Sequence, residues 1–364
     1  MKDFNLGFNG MDKTVFNLRA LYGSYGFKKY RMSKFEKYDL YANNKDFLVS
    51  DNVITFTDTD GTLMALKPDV TLSIIKNSKD SGAIEKVYYN ENVYRVSKGT
   101  KSFKEFMQVG LECFGDIDDY SICEVIYLAV KSLETISNEY VLTLSNLDVV
   151  NAVIKWVGVS STGAKKVINY LAEKNAHGIA WVCKEESIPE EKAEILKKLV
   201  TVYGDTKKVL GELKNLKLDG AIEKPLCQLE KVISALENWG VADKVKIDFS
   251  VISDVNYYNG IVFKGFVNGI PTDIISGGQY DNLMKKMKRK DGAIGFAVYL
   301  DELEKFVAVK PEFDVDVAIE YGDDASVIDI IEKVKSQGQT VFACKKLPEN
   351  LTYKRLIKLE GGNK

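Results

Sequence analysis

The stretch that most constrains the fold is residues 94–115, YRVSKGTKSFKEFMQVGLECFG. Two apolar, alternating arms flank a short basic loop at residues 97–102, where Gly99 supplies the turn. This is the pattern of a β-hairpin whose loop exceeds two residues. Phe103, Phe106, Val109, Leu111, Cys113 and Phe114 are strand- and core-forming side chains. Gln108 and Glu112 stand four apart among them, and residues four apart on a strand share a face. Burying a Gln and a Glu is costly unless both find partners. Either the two face solvent, or they line a polar pocket for a small ligand that carries N–H groups.

A chain of 364 residues exceeds one small core and suits two or three domains. Apolar residues make up 45% and charged residues 28%, the range of soluble globular proteins. With 50 basic and 52 acidic residues, net charge −2, strong non-specific nucleic-acid binding is not expected. The five cysteines, Cys113, Cys123, Cys183, Cys227 and Cys344, are scattered and form no CxxC pair, so free thiols in a reducing cytosol are expected. His177 is the single histidine, at what reads as a helix end. No nucleophile motif accompanies it, and one His with scattered Cys does not make a zinc site. Neither a Ser-His-Asp or Cys-His catalyst nor a metal site is therefore expected, and no cofactor. No run of about 18 apolar residues exists and the first residues lack an apolar signal core, so a cytoplasmic chain without a membrane span is expected.

Taken in order, helical spacing covers residues 11–25, and strands are expected at 27–36, 52–57 and 62–66. Pro68 and Asp69 suit the first turn of a helix. A strand at 85–89 leads into the hairpin, followed by an amphipathic helix at 121–136 and a strand at 140–144. Residues 1–147 thus mix strands and helices in α+β style. From 148 to 244 helical patterns dominate, at 149–157, 163–173, 189–202, 206–215 and 226–238, which reads as a helical insertion. Strand texture returns from 245 to 310, with Asn268-Gly269 as a hairpin turn. The basic stretch Lys285, Lys286, Lys288, Arg289 and Lys290 is expected to be a solvated loop. Residues 311–364 hold one βαβ unit ending at Cys344 and a mostly polar remainder, a small and incomplete α/β domain.

Four separated segments together resemble the catalytic core of histidyl-tRNA synthetase, a class II aminoacyl-tRNA synthetase. Leu66-Lys67-Pro68-Asp69-Val70-Thr71 is similar to that family's L-R-P-E-G-T. Residues 106–115, FMQVGLECFG, resemble F-H-Q-x-G-x-E-x-F-G of motif 2. Residues 251–259 resemble L-V-R-G-L-D-Y-Y-N. Residues 276–283 with 295–303 resemble A-G-G-R-Y-D-x-L and the G-F-A-x-G-L-E-R-L of motif 3. The resemblance covers roughly residues 10–310. It implies a class II synthetase-like antiparallel sheet of about six strands with flanking helices, and a homodimer through motif 1. It also implies a histidine pocket built from Asp69, Thr71, Arg95, Gln108, Glu112, Tyr257 and Tyr258.

The departures carry as much information. Adenylation needs positive charge on the phosphates. Arg95 can stand for the motif 2 arginine. By resemblance, however, Ser253 replaces one family arginine, Glu302 replaces the ATP-gripping arginine of motif 3, Tyr299 replaces a glycine, and Ser33 takes the place of the motif 1 proline. The branch that is similar in these respects is the regulatory subunit of ATP phosphoribosyltransferase, whose first segment reads R-P-D-x-T. That resemblance implies a non-catalytic subunit that activates a short-form catalytic subunit within a hetero-octamer and takes part in feedback inhibition by histidine, without tRNA. An active histidyl-tRNA synthetase and a free-standing paralogue for another amino acid or partner are the alternatives.

Overall fold

The computed structural model describes residues 10–45, 48, 53–78, 82–97, 101–216, 218, 220–252, 257–307, 312–322 and 327–359. In chain order its elements begin with α1 (Gly10–Ser24), β1 (Lys28–Lys29), β2 (Phe35–Lys37), α2 (Tyr38–Ala42), β3 (Thr55–Thr57), β4 (Leu63–Leu66) and α3 (Thr71–Asn77). The hairpin strands β5 (Glu85–Val96) and β6 (Phe103–Gly115) follow, then α4 (Asp119–Ile136) and β7 (Tyr140–Asn146). Next come α5 (Leu147–Val157), α6 (Ser161–Ala172), α7 (Ala176–Glu185), α8 (Glu190–Thr201), β8 (Tyr203–Asp205), α9 (Thr206–Lys214) and α10 (Glu223–Asn238). Strands return with β9 (Val245–Asp248), β10 (Asn259–Val267) and β11 (Ile275–Gln279), then α11 (Asp281–Lys286), β12 (Gly292–Tyr299) and α12 (Leu300–Val307). The last elements are β13 (Val315–Tyr321), α13 (Val327–Ser336), β14 (Val341–Cys344) and β15 (Tyr353–Leu359).

Residues Thr14–Leu303 form one compact unit, and a second takes over at Glu304. The first is organised on a sheet of nine strands in the order β1-β5-β6-β12-β11-β10-β7-β9-β8. Its centre is antiparallel, and only the β1–β5 and β7–β9 pairs run parallel. The sheet is thus wider than the six or so strands expected. Of the additions, β1 and β9, 2 and 4 residues long, fall within the stretches 27–36 and 245–252 expected to be strand, whereas β8, 3 residues long, is too short for alternation to register in sequence. β8 lies within the helical stretch 148–244 and pairs with β9, so that stretch shares the sheet.

The β5–β6 hairpin pairs along its whole length, from Glu85 opposite Phe114 to Val96 opposite Phe103. Its turn residue Gly99 lies outside the described residues. Val109, Leu111 and Cys113 point to one, fully buried face. On the sheet, α4 lies across β7, β10 and β12. It begins where Asp118 accepts the Ser121 N–H at 2.8 Å, an N-cap that satisfies an otherwise orphaned donor. Tyr22 on α1 is held to α4 by a 2.9 Å bond between its hydroxyl and that of Ser132. Gln108, Gly110 and Glu112 point to the opposite face.

That opposite face is covered partly by α3. Arg289, from the basic stretch, donates through one guanidinium nitrogen to the carbonyls of Ile75 (3.0 Å) and Ser78, capping the end of α3. Lys and Arg side chains commonly close helix C-termini this way. So one member of the stretch expected to be solvated is structural. His177 sits in the first turn of α7, beside the Asn175 cap.

In the second unit β14, β13 and β15 form a parallel sheet with β13 in the middle. This corrects the expectation of a polar remainder after Cys344. Lys354, Arg355 and Lys358 hide the strand β15 in sequence, because its apolar residues are only half-buried. Residues 360–364 lie outside the described residues.

Candidate functional site

The polar face of the hairpin forms the floor of a cavity of about 520 Å³. Strand register explains why there is a hollow there. Glu112 stands opposite Gly295, Gly110 opposite Ala297, and Gln108 opposite Tyr299. One strand further, Gly278 is opposite Gly295, and Ser276 opposite Ala297. Cross-strand partners share a face. Of these, Gly295, Ala297 and Ser276 line the cavity, residues with little or no side chain, while tyrosine rings lie over Gly110 and Gly278. Two of the glycines are required by close approach. A Cβ on Gly110 would collide with the Tyr89 hydroxyl, and one on Gly295 with Oε2 of Glu112.

Glu112 occupies the deep end and is 2% exposed. Its Oε1 accepts from the Thr71 hydroxyl at 2.8 Å, and its Oε2 from the Tyr280 hydroxyl at 2.6 Å. Burial pushes its carboxyl up to about 8, against the pull of the Tyr280 and Thr71 hydroxyls and with a further push from nearby Asp69. Three tyrosines wall this end. Tyr257 lies 4.6 Å from Tyr258 and 5.9 Å from Tyr280, measured between ring centroids.

Asp69 bridges helix and cavity. Its Oδ1 accepts the Leu72 N–H at 2.8 Å, steadying the first turn of α3. Its Oδ2 lies 3.8 Å from the Arg95 guanidinium, and Arg95 Nε donates to the Pro68 carbonyl at 2.5 Å. Burial raises the Asp69 carboxyl, and Arg95 opposes the rise. Gln108 is 4% exposed and lines the cavity. An amide that faces the cavity can hydrogen-bond a ligand that brings polar groups of its own.

All the residues expected to form the pocket, Asp69, Thr71, Arg95, Gln108, Glu112, Tyr257 and Tyr258, line this one cavity. The sequence reading missed Tyr280, Lys264, Asp273 and Ser276, which line it too. Alternation along β10 and β11, once their register with β12 is known, places Lys264 and Ser276 on the cavity face. Lys264 pairs with Asp273 at 3.4 Å. Glu302 stands in the first turn of α12 and is not among the cavity-lining residues; its carboxylate accepts from the Thr272 hydroxyl at 3.2 Å. Ser33 accepts the Phe35 N–H at 3.3 Å at the start of β2. Ser253 lies outside the described residues. Among the described residues no cluster of His, Cys, Asp and Glu could hold a metal ion. No helix among them is long and apolar enough to cross a membrane.

The sequence profile of the histidyl-tRNA synthetase family matches residues 8–303. The ATP phosphoribosyltransferase regulatory subunit of Caldanaerobacter subterraneus subsp. tengcongensis is 30% identical over 294 residues, covering 78% of this chain and 75% of that protein. The chain belongs to the ATP phosphoribosyltransferase regulatory subunit family. In this chain the matched region spans the whole of the Thr14–Leu303 unit. Among solved structures, an ATP phosphoribosyltransferase regulatory subunit/histidyl-tRNA synthetase from Bacillus halodurans superimposes with a TM-score of 0.82 at 23% identity, covering 99% of both chains. The ATP phosphoribosyltransferase (HisG:HisZ) complex of Thermotoga maritima matches with a TM-score of 0.64 at 19% identity, over 80% of this chain and 97% of that one. These two likenesses establish the class II synthetase fold.

Proposed function

We propose that this chain is the non-catalytic regulatory subunit of ATP phosphoribosyltransferase, and that its cavity is a histidine site. The observation that carries the reading is the asymmetry of the cavity. The deep end keeps a buried carboxyl group and two hydroxyls, a set suited to an amino acid with an N–H-bearing side chain, and the Gln108 amide lines the same cavity four residues along the strand. Thr71, Tyr257, Tyr258 and Glu112 surround the imidazole in this reading, and Gln108 and Asp69 face the ammonium. At the other end both cavity cations stand beside carboxylates, Arg95 at 3.8 Å from Asp69 and Lys264 at 3.4 Å from Asp273. Neither is left unopposed for a triphosphate, whose developing charge adenylation must stabilise.

The names of the relatives and of the Thermotoga complex support an ATP phosphoribosyltransferase catalytic subunit as the partner. That the partner is of the short form, is activated by this chain and is inhibited by histidine through it, in the cytoplasm, belongs to the proposal. A homodimer of the synthetase-like core within a hetero-octamer, without tRNA, completes the proposal. Reconstitution tests it. Adding the chain to an isolated short-form catalytic subunit is expected to raise ATP phosphoribosyl transfer, and histidine to lower it again. An unchanged rate rejects the proposal. The retained amino-acid end also suits an active histidyl-tRNA synthetase, which histidine-dependent pyrophosphate exchange separates from the regulatory reading.

A further inference from the structure

We infer that Lys264, with the Ser276 hydroxyl beside it, holds the α-carboxylate of the amino acid whose side chain meets Glu112. The inference rests on the amino-acid reading of the cavity and names the holder of the one ligand group that reading leaves unassigned.

Strand register supplies the first observation. Across the sheet, Gly110, Ala297, Ser276 and Lys264 stand in one row, and Glu112, Gly295, Gly278 and Val262 stand in the next. Cross-strand partners share a face, so both rows lie on the cavity side of the sheet. In the Glu112 row the surface is taken: Oε2 of Glu112 lies over Gly295, and the Tyr258 ring lies over Gly278. In the other row the Tyr89 hydroxyl lies over Gly110, and beyond it only the small residues Ala297 and Ser276 lead to Lys264. A ligand that touches Glu112 has this strip to lie on, and the strip ends at an ammonium group.

Length supplies the second. Lys264 stands two strands from Gly295 and two residues along, which at ordinary strand spacing and rise is on the order of 12 Å between backbones. Side chains stand roughly perpendicular to a sheet, so the Lys264 ammonium rises near its own place on the floor. Histidine measures roughly 6–7 Å from its outer ring nitrogen to its carboxylate, at bond lengths near 1.5 Å. A hydrogen bond of about 2.8 Å at each end brings the total to about 12 Å. A free amino acid therefore spans the distance from Glu112 to Lys264.

Availability supplies the third. The Lys264–Asp273 contact is 3.4 Å, longer than a close charge-assisted hydrogen bond, and the two side chains are 30% and 27% exposed. An ammonium group has three donors, so Lys264 can keep Asp273 and still give to a ligand carboxylate. Arg95 is more committed. It stands eight residues along β5 from Val87, the residue opposite Glu112, and its Nε already donates to the Pro68 carbonyl at 2.5 Å, with Asp69 at 3.8 Å. That place suits it to position Asp69 for the ligand's ammonium.

Calorimetric titration with histidine and with histidinol tests this. Histidinol keeps the ring and the ammonium and carries a hydroxymethyl group in place of the carboxylate. The native chain is expected to prefer histidine by about 10- to 100-fold, the worth of hydrogen bonds to a charged group. Lys264→Met should bring the two ligands within about threefold. That change also leaves Asp273 unpaired beside the ligand, so the double variant Lys264→Met/Asp273→Asn is measured too and should lose the preference equally. Asp273→Asn alone should keep or widen it. Arg95→Ala should weaken both ligands alike and leave their ratio as in the native chain. A double variant with a native thermal melt that still prefers histidine by the native factor overturns the inference, and so does a preference that Arg95→Ala abolishes. Equal native binding of the two ligands overturns it as well and leaves the amino-acid reading standing. Native binding of neither ligand defeats both.

Discussion

The two ends of the cavity solve the same problem, buried or half-buried polar groups, in opposite ways. At the deep end Glu112 is satisfied by neutral donors, the hydroxyls of Thr71 and Tyr280. Among the described residues no cation pairs with it, and burial pushes its carboxyl up to about 8. At the open end the charges are matched within the chain, Arg95 beside Asp69 and Lys264 beside Asp273. The deep end thus has an unmet electrostatic demand that a cationic or N–H-rich ligand relieves. The open end has little left to offer a polyanion. This difference suits a sensor on a synthetase fold better than a catalyst of amino-acid activation.

The most drastic way to break the comparison is at the floor. Gly295→Ala drives a Cβ into Oε2 of Glu112 and against the Leu111 carbonyl, which lies 2.6 Å away and cannot yield without shifting β6. Overpacking of this kind costs about 1–3 kcal/mol or more, so the melting temperature should drop by several degrees and histidine binding should vanish. A variant that melts and binds as the native chain does would remove Gly295 from the site.

Glu112→Gln removes the charge and leaves the volume. Histidine affinity should fall roughly 10- to 100-fold, as expected for losing a hydrogen bond to a charged group. Stability near neutral pH should hold, because below about pH 8 the folded chain keeps this buried carboxyl protonated and the amide replaces a neutral group of the same shape. An unchanged dissociation constant by calorimetry would show that the ligand does not use this carboxylate.

The raised carboxyl sharpens the same point through pH. A folded-state value near 8 lies above the ordinary glutamate value of 4.5, so between these limits the folded chain binds the extra proton. Stability contributed by Glu112 is therefore present at low pH, falls as pH rises, and levels off above about 8; the full swing is of order a few kcal/mol. Melting curves from pH 5 to 8.5 should show this decline, and Glu112→Gln should flatten it. Histidine, by favouring the ionised form, should bind more tightly as pH rises from 6 to 8 and release a proton on binding. Calorimetry in buffers of different ionisation enthalpy reads the proton directly, and proton uptake would contradict the assignment.

Smaller effects are expected at the other end. Arg95→Ala should weaken histidine about 5- to 20-fold, since the guanidinium already shares itself with Asp69 and Pro68. Glu302→Ala should change histidine binding by less than about twofold, because its carboxylate reaches Thr272 and not the cavity. A large loss in Glu302→Ala would place the first turn of α12 in the site.

Much of this was legible in the sequence, for definite reasons. Period-two spacing put Gln108 and Glu112 on one face before any strand pairing was known, and Pro68–Asp69 marked the entry to α3. What escaped depended on non-local pairing. Lys264 and Ser276 reach the cavity only because β10, β11 and β12 are adjacent, which no local pattern states. The role of Arg289 depended on the end of α3 lying beside it, more than 200 residues away. β15 escaped because its lysines and arginine mask a strand that is half-buried, and β8 because three residues cannot show a period. Glu302 was matched by position to a phosphate-gripping arginine, yet its side chain turns to Thr272, so the likeness of residue order did not carry its direction.

The division of labour between the two ends is tested most directly by ATP–pyrophosphate exchange, measured with histidine on the purified chain at a concentration that saturates its histidine site. A regulatory subunit whose open end is closed to a triphosphate gives histidine binding with no exchange above the no-enzyme rate. Sustained histidine-dependent exchange would mean that the open end handles ATP, and that the chain is a synthetase.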